Sequence, residues 1–240
     1  MKSKIDSTGY FLSKKVGKAI TDYQMIQDKD KILVAVSGGK DSLCLLKILQ
    51  YRQSFVPVKY ELLAVHIDMG YRCSQPRILA DYFKKEGCKY YIKKIDILKD
   101  KKRSSVSCFW CSWNRRRALF ETADKFGCTK IALGHHKNDI VETILLNLFF
   151  NSEISAMAPK QELFNGKITI IRPLAYVEEK EIISFSRHLN FPHPRCECSN
   201  TNISRRNKVA RIIKELEKIC PNTKSNIFNA IRRVKRNYLL

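Results

Sequence analysis

Glycine and proline are scarce in this 240-residue chain, at nine and seven copies. That excludes collagen-like and low-complexity disordered classes and leaves an ordinary globular composition. Long apolar runs are missing as well. The longest, Ile144 to Phe150, is interrupted by Asn147 and falls far short of the ~20 residues that span a bilayer. Met1-Lys2-Ser3-Lys4 is charged, but no apolar stretch follows it, so no secretory signal is read. We expect a cytoplasmic protein with no membrane partner. Acidic residues are few: 23 Asp and Glu against 45 Lys and Arg, a formal net charge of +22. Such an excess favours polyanionic partners. A lysine-solvated surface would explain it blandly. Clustered arginines argue against that, because guanidinium groups suit two-pronged phosphate contacts. Arg115-Arg116-Arg117, Arg205-Arg206 and Arg232-Arg233 are such clusters.

What is present alternates. Lys31 to Val36 is a short β-branched apolar run and reads as a buried parallel strand. Tyr60 to Asp68, Cys88 to Ile97, Lys130 to Gly134 and Ile168 to Ile171 read likewise. Helical spacing covers 10–27, 41–51, 76–87, 112–126, 139–150 and 177–189, with Gly127 placed to cap one C-terminus. The last fifty residues are basic and helical, broken at Pro221. Asn151 to Lys167 has the poorest periodicity and reads as a loop. Strands alternating with helices predict an α/β fold with a parallel sheet covered on both faces. No repeat or linker divides the chain. We expect one domain over 1–240, with helical extensions at 1–28 and 200–240.

Between the first strand and its helix lies Ser37-Gly38-Gly39-Lys40-Asp41-Ser42. Two glycines allow a tight turn and close backbone approach to an anion. The helix N-terminus points N–H groups and a positive dipole end at the same place. Ser37 and Ser42 add hydroxyl donors and Lys40 a charge. Asp41 is unusual beside an anion and suggests a divalent cation. The spacing is not that of a Walker A loop. Ligands of open α/β sheets lie beyond the carboxyl ends of strands. That adds His66 to Met69, notably His66 and Ile67, and the stretch Gly134 to Asp139. Gly134 permits close approach there, and Asp139 is a second Mg²⁺ candidate. His135 and His136 are adjacent and would diverge on extended backbone, so a zinc site is disfavoured.

Nine cysteines in a cytoplasmic chain point away from a disulfide framework. Cys108-Phe109-Trp110-Cys111 and Cys196-Glu197-Cys198 are the closely spaced sets. The following Arg115-Arg116-Arg117 would favour thiolate. Four thiolates could close a structural zinc site; three could hold a 4Fe–4S cluster with one open iron. Cys44, Cys88, Cys128 and Cys220 read as buried thiols, and Cys73 is undecided.

The hexapeptide resembles the PP-loop of the ATP pyrophosphatases, which share the adenine nucleotide alpha hydrolase-like fold. With Gly17-Lys18-Ala19-Ile20, Cys108-x-x-Cys111, Gly134-His135-His136, Glu142-Thr143, Arg172-Pro173-Leu174 and Asn226-Ile227-Phe228, the chain is similar to the tRNA 2-thiocytidine synthetases from about Val16 onward. The resemblance implies ATP over Ser37 to Ser42, with Mg²⁺ at Asp41 and Asp139. It implies adenylation of a cytosine carbonyl oxygen in a tRNA anticodon loop, at cytidine 32. Sulfur carried on the cluster held by Cys108, Cys111 and either Cys196 or Cys198 then displaces AMP. Lys40, Asp41, Cys108 and Cys111 carry the chemistry. Arg115, Arg116, Arg205 and Arg206 are the RNA-binding candidates. A homodimer and a cysteine desulfurase as sulfur source are implied too. This chain departs from the family's usual Cys-x-x-Cys in its last cysteine pair. Extra terminal zinc-finger cysteines, found in the related 2-thiouridine enzymes, are lacking. Two other readings are kept: a sulfur transferase or ligase acting on a small molecule or another nucleoside, and a cluster-containing nucleotide-binding redox regulator.

Overall fold

A computed structural model describes residues 5–71, 76–96, 107–189, 191–192 and 205–238. The strands are β1 (Asp30–Ala35), β2 (Tyr60–Asp68), β3 (Tyr90–Lys94), β4 (Lys130–Ala132), β5 (Lys160–Leu163) and β6 (Ile168–Ile171). They form one sheet in the order β3-β2-β1-β4-β6-β5. All neighbours are parallel except β5, which runs antiparallel to β6. The apolar strands are buried on both faces, as parallel strands under helices must be: Ile32, Leu33 and Val34 of β1 are fully covered.

The helices are α1 (Ser7–Asp22), α2 (Lys40–Gln53), α3 (Pro76–Lys85), α4 (Cys108–Phe126), α5 (Lys137–Asn151), α6 (Glu179–His188), α7 (Arg205–Ile219) and α8 (Thr223–Ala230). Each face of the sheet has its own core. Leu43, Leu46 and Leu49 of α2 join Leu12 and Val16 of α1 and Phe185 of α6 in one. Ala118, Leu119 and Ala123 of α4 join Leu33, Val65 and Ile131 in the other. Burying a side chain such as Phe185 or Leu46 stabilises the fold by about 1.5–3 kcal/mol. A third cluster joins Ile144 of α5, Val209 and Ile213 of α7 and Phe228 of α8, fastening the basic C-terminal helices to α5. No helix among the described residues is long and apolar enough to cross a membrane.

Three expectations change. The first helix covers 7–22, started by Asp6, whose carboxylate accepts from the Gly9 N–H at 2.8 Å. The helix read over 112–126 begins at Cys108, because Ser107 caps it by accepting from the Trp110 N–H at 3.2 Å; it ends at Gly127, as expected. Residues 151–167, read as a loop, contain β5 and a hairpin turn through Phe164, Asn165 and Gly166, all at positive φ. The strand is polar because it is an edge, where charge discourages pairing with other chains.

Candidate functional site

The strand order reverses direction between β1 and β4: successive crossovers lead from β1 toward β3 on one side and from β4 toward β5 on the other. A crevice opens at such a switch point, outside the carboxyl ends of the strands. A cavity of about 510 Å³ occupies it. The β1–α2 loop and the β4–α5 loop form its floor, and α4 forms one wall.

The phosphate loop is folded back on itself. The Ser37 N–H donates to Ser42 Oγ at 3.2 Å, and Ser42 Oγ donates to the Gly39 carbonyl at 2.9 Å. Gly38 holds φ at 92°, a conformation side chains resist. Gly134 crosses directly over the start of α2. A Cβ on it would stand 3.0 Å from the Ser42 nitrogen and 3.1 Å from the Asp41 carbonyl carbon. So Ser37, Asp41, Ser42, His66, Ile67, Gly134 and Asp139 from the sequence reading share one cavity. His66 donates from Nδ1 to the Val36 carbonyl at 2.8 Å, which ties the end of β2 to the end of β1. Burial lowers the His66 pKa, and the hydrogen bond opposes that shift.

Lys40, read as a charge for phosphate oxygens, is paired with two carboxylates. Its ammonium lies 2.9 Å from Glu179 at the start of α6 and 3.3 Å from Asp41. Burial would lower its pKa, but the Glu179 hydrogen bond and the Asp41 charge outweigh it and raise it. Arg206, read as an RNA contact, enters the cavity from α7. Its Nη1 lies 3.1 Å from Asp139 and its Nε 3.7 Å from Glu142. Arg205, its neighbour, instead lies over the Phe150 ring, 4.9 Å from the centroid. Arg115 and Arg116 line the α4 wall.

Glu142 and Arg172 gave no chemical signal in the sequence beyond the family resemblance, and Glu179 gave none. Burial pushes Glu142 up to about 7, against the pull of Arg206. Burial, with help from the nearby Arg172 charge, pushes His135 down to about 4 and keeps it neutral. Burial lowers Arg172 to about 10, while its guanidinium donates to the Ala158 carbonyl.

Two groups implied by the sequence are tested by the donors present. Asp41 and Asp139 flank His136, at 3.8 Å and 3.4 Å. Asp41 Oδ1 is buried and makes no hydrogen bond among the described residues, and the positive charge it faces at 3.3 Å is the Lys40 ammonium. Asp139 Oδ2 accepts from the His136 N–H at 3.0 Å, and its Oδ1 faces Arg206. Both carboxylates fit Mg²⁺ by their chemistry, Asp41 once Lys40 moves and Asp139 once Arg206 moves. The described residues contain no ready three-ligand metal cluster of His, Cys, Asp and Glu. Of the cluster candidates, the Cys108 side chain, Cys196 and Cys198 lie outside the described residues, as does Cys73. Positions 108 and 111 stand one turn apart at the start of α4, a spacing that shares a helix face. The Cys111 sulfur is half-buried, 2.7 Å from the Tyr71 hydroxyl. Ser112, next in the chain, lines the cavity. Cys111 thus adjoins the cavity, through Tyr71 and Ser112 in its lining.

The PP-loop domain family matches residues 11–216. A tRNA-cytidine(32) 2-sulfurtransferase of Geobacter sulfurreducens is 44% identical over 231 residues, 94% of this chain and 90% of that one. One from Citrifermentans bemidjiense is 40% identical over 95% of this chain and 92% of its own. In fold, the chain is similar to the U34-tRNA thiolase NcsA from Methanococcus maripaludis, solved with its 4Fe–4S cluster. The TM-score is 0.75 and the identity 21%, over 96% of this chain and 79% of that one. Switch-point cavity, phosphate loop and near full-length likeness agree: the chain belongs to the PP-loop family, in the branch of the tRNA-cytidine(32) 2-sulfurtransferases.

Proposed function

We propose that this protein is an ATP-dependent tRNA sulfurtransferase that converts cytidine 32 of the anticodon loop to 2-thiocytidine. One observation carries the proposal beyond likeness: a single cavity is lined both by the phosphate loop, at Ser37 and Ser42, and by Ser112, Arg115 and Arg116, directly after Cys111. Activation and sulfur delivery can therefore meet at one base. In the first step the cytosine C2 oxygen attacks the ATP α-phosphorus and pyrophosphate leaves. Backbone N–H groups at the start of α2 hold the phosphates, and charge at that helix end favours them. Lys40 exchanges Glu179 for a phosphate oxygen, and Asp41 with Asp139 would hold Mg²⁺, which neutralises the leaving pyrophosphate. Cys108, Cys111 and one of Cys196 or Cys198 would hold a 4Fe–4S cluster, which supplies the sulfur that takes the place of the activated oxygen as AMP departs. Neutral His135 leaves the cavity wall free of an added charge near the base. The proposal includes one PP-loop domain with helical extensions, a cytoplasmic location, a homodimer and a cysteine desulfurase as sulfur source.

The test is anaerobic reconstitution with iron and sulfide, then incubation with ATP, sulfide and tRNA lacking the modification. Mass spectrometry of the nucleosides should show 2-thiocytidine, placed at position 32, with one AMP released per thiolated base. Unmodified tRNA from a reconstituted, ATP-binding protein overturns the proposal.

A further inference from the structure

The chain has only two tryptophans, Trp110 and Trp113. Both lie in the first turns of α4, beside Cys111, and they stack on each other with centroids 5.7 Å apart and planes 18° from parallel. They keep 39% and 45% of their surface exposed, and neighbouring Phe109 keeps 76%. Large aromatics left to solvent in this density are unusual on a surface with no role. The arginines beside them are oriented: Arg117 lies over the Trp113 ring, 5.8 Å from its centroid, while Arg115 and Arg116 turn toward the cavity.

We propose that Trp110 and Trp113, with Arg117, form a stacking platform for unpaired nucleotides of the RNA substrate, next to the base that enters the cavity. The inference rests on the reading of the substrate as RNA. Charge selects that occupant: three consecutive arginines follow the tryptophans in a chain of net charge +22. Chemistry agrees. Sequence-selective RNA recognition uses splayed loop bases stacked on aromatic rings and guanidinium planes. Helix geometry sets the arrangement. Positions 110, 113 and 117 run along one stripe of α4, while 112, 115, 116 and 119 face the cavity. An anticodon loop could therefore place its target base on the cavity side and drape neighbouring bases over the tryptophan side.

Because these are the only tryptophans, intrinsic fluorescence reports on the platform alone. Full-length protein titrated with the unmodified tRNA should show quenching of tryptophan emission, with heparin producing none at matched ionic strength. Trp113→Ala should weaken tRNA binding about tenfold, the loss of roughly one stacked base, while Trp113→Phe recovers most of it. Affinity for ATP should be the same in all three proteins, which also shows that the variants are folded. Equal quenching by heparin, or tRNA affinity within twofold of the wild type in Trp113→Ala and in Trp110→Ala, overturns the platform. If quenching comes only from an added cysteine desulfurase, the face is a protein dock and the proposal fails. Thiolation retained together with unchanged tRNA affinity leaves the sulfurtransferase reading intact and removes only the platform. No tRNA binding and no thiolation by ATP-competent protein removes the parent reading instead.

Discussion

The two chemical ends of the cavity are built in opposite ways. The phosphate end is one continuous stretch, Ser37 to Ser42, closed by hydrogen bonds within itself and crossed by Gly134. The sulfur end, as proposed, would draw on the first turn of α4 and on a cysteine far downstream in the sequence. A binding device for an anion can be encoded locally, since backbone N–H groups and a helix start suffice. A cluster site needs thiolates from separated segments brought together by the whole fold. The first should tolerate loss of the second, and the reverse should not hold.

Cys111→Ser tests that asymmetry with the largest expected effect. Thiolation should fall below detection in the nucleoside assay, with ATP binding by calorimetry unchanged; retained thiolation would mean that Cys111 is not needed for sulfur delivery. Lys40→Met comes next. Removing one charged contact to a transferring phosphoryl group costs about 100-fold in kcat, read as AMP release under saturating tRNA. Gly134→Ala should slow the same step about tenfold and destabilise the fold by about 1–3 kcal/mol in urea, because its methyl group meets backbone rather than a movable side chain. Wild-type rates in that variant would show that the two loops do not need to touch.

His135 gives a smaller, spectroscopic check. Its folded pKa of about 4 lies below the ordinary imidazole value of 6.5. The folded state therefore resists protonation, and stability is lost as pH falls from 6.5 toward 4. An NMR titration should place its midpoint near 4; a midpoint above 6 would mean a wetter cavity than the packing shows. The smallest effect is expected far from both ends. Gly166→Ala, at φ of 84° in the β5–β6 turn, should cost about 1 kcal/mol and leave thiolation alone.

How much could be read from the sequence follows the same division. The phosphate loop, β1, β2, β4 and β6 were legible because each is a contiguous pattern. β5 was missed because a short polar edge strand has no apolar alternation to read, although Asn165-Gly166 before Ile168 is a hairpin signal. The start of α4 was placed late because Cys, Phe, Trp and Asn are indifferent helix formers; Ser107 was the clue. The different surroundings of Arg205 and Arg206 could not be read, since only the packing of α7 on α5 sends Arg206 to Asp139 and Arg205 to Phe150. The choice between Cys196 and Cys198 lies outside the described residues.

The switch point also has a mechanical side. β1 pairs with β2 along six residues but with β4 along only three, from Ile32↔Lys130 to Val34↔Ala132. β4 is therefore held by a short seam on each side, since it pairs with β6 along three residues as well, and the cavity sits on top of the seam with β1. A nucleotide bridging the Ser37 and Gly134 loops would act as a staple across that seam. Slow amide exchange in β4 would then be a property of the loaded enzyme more than of the empty one, and the part of the sheet most easily opened would be the part that ATP itself holds shut.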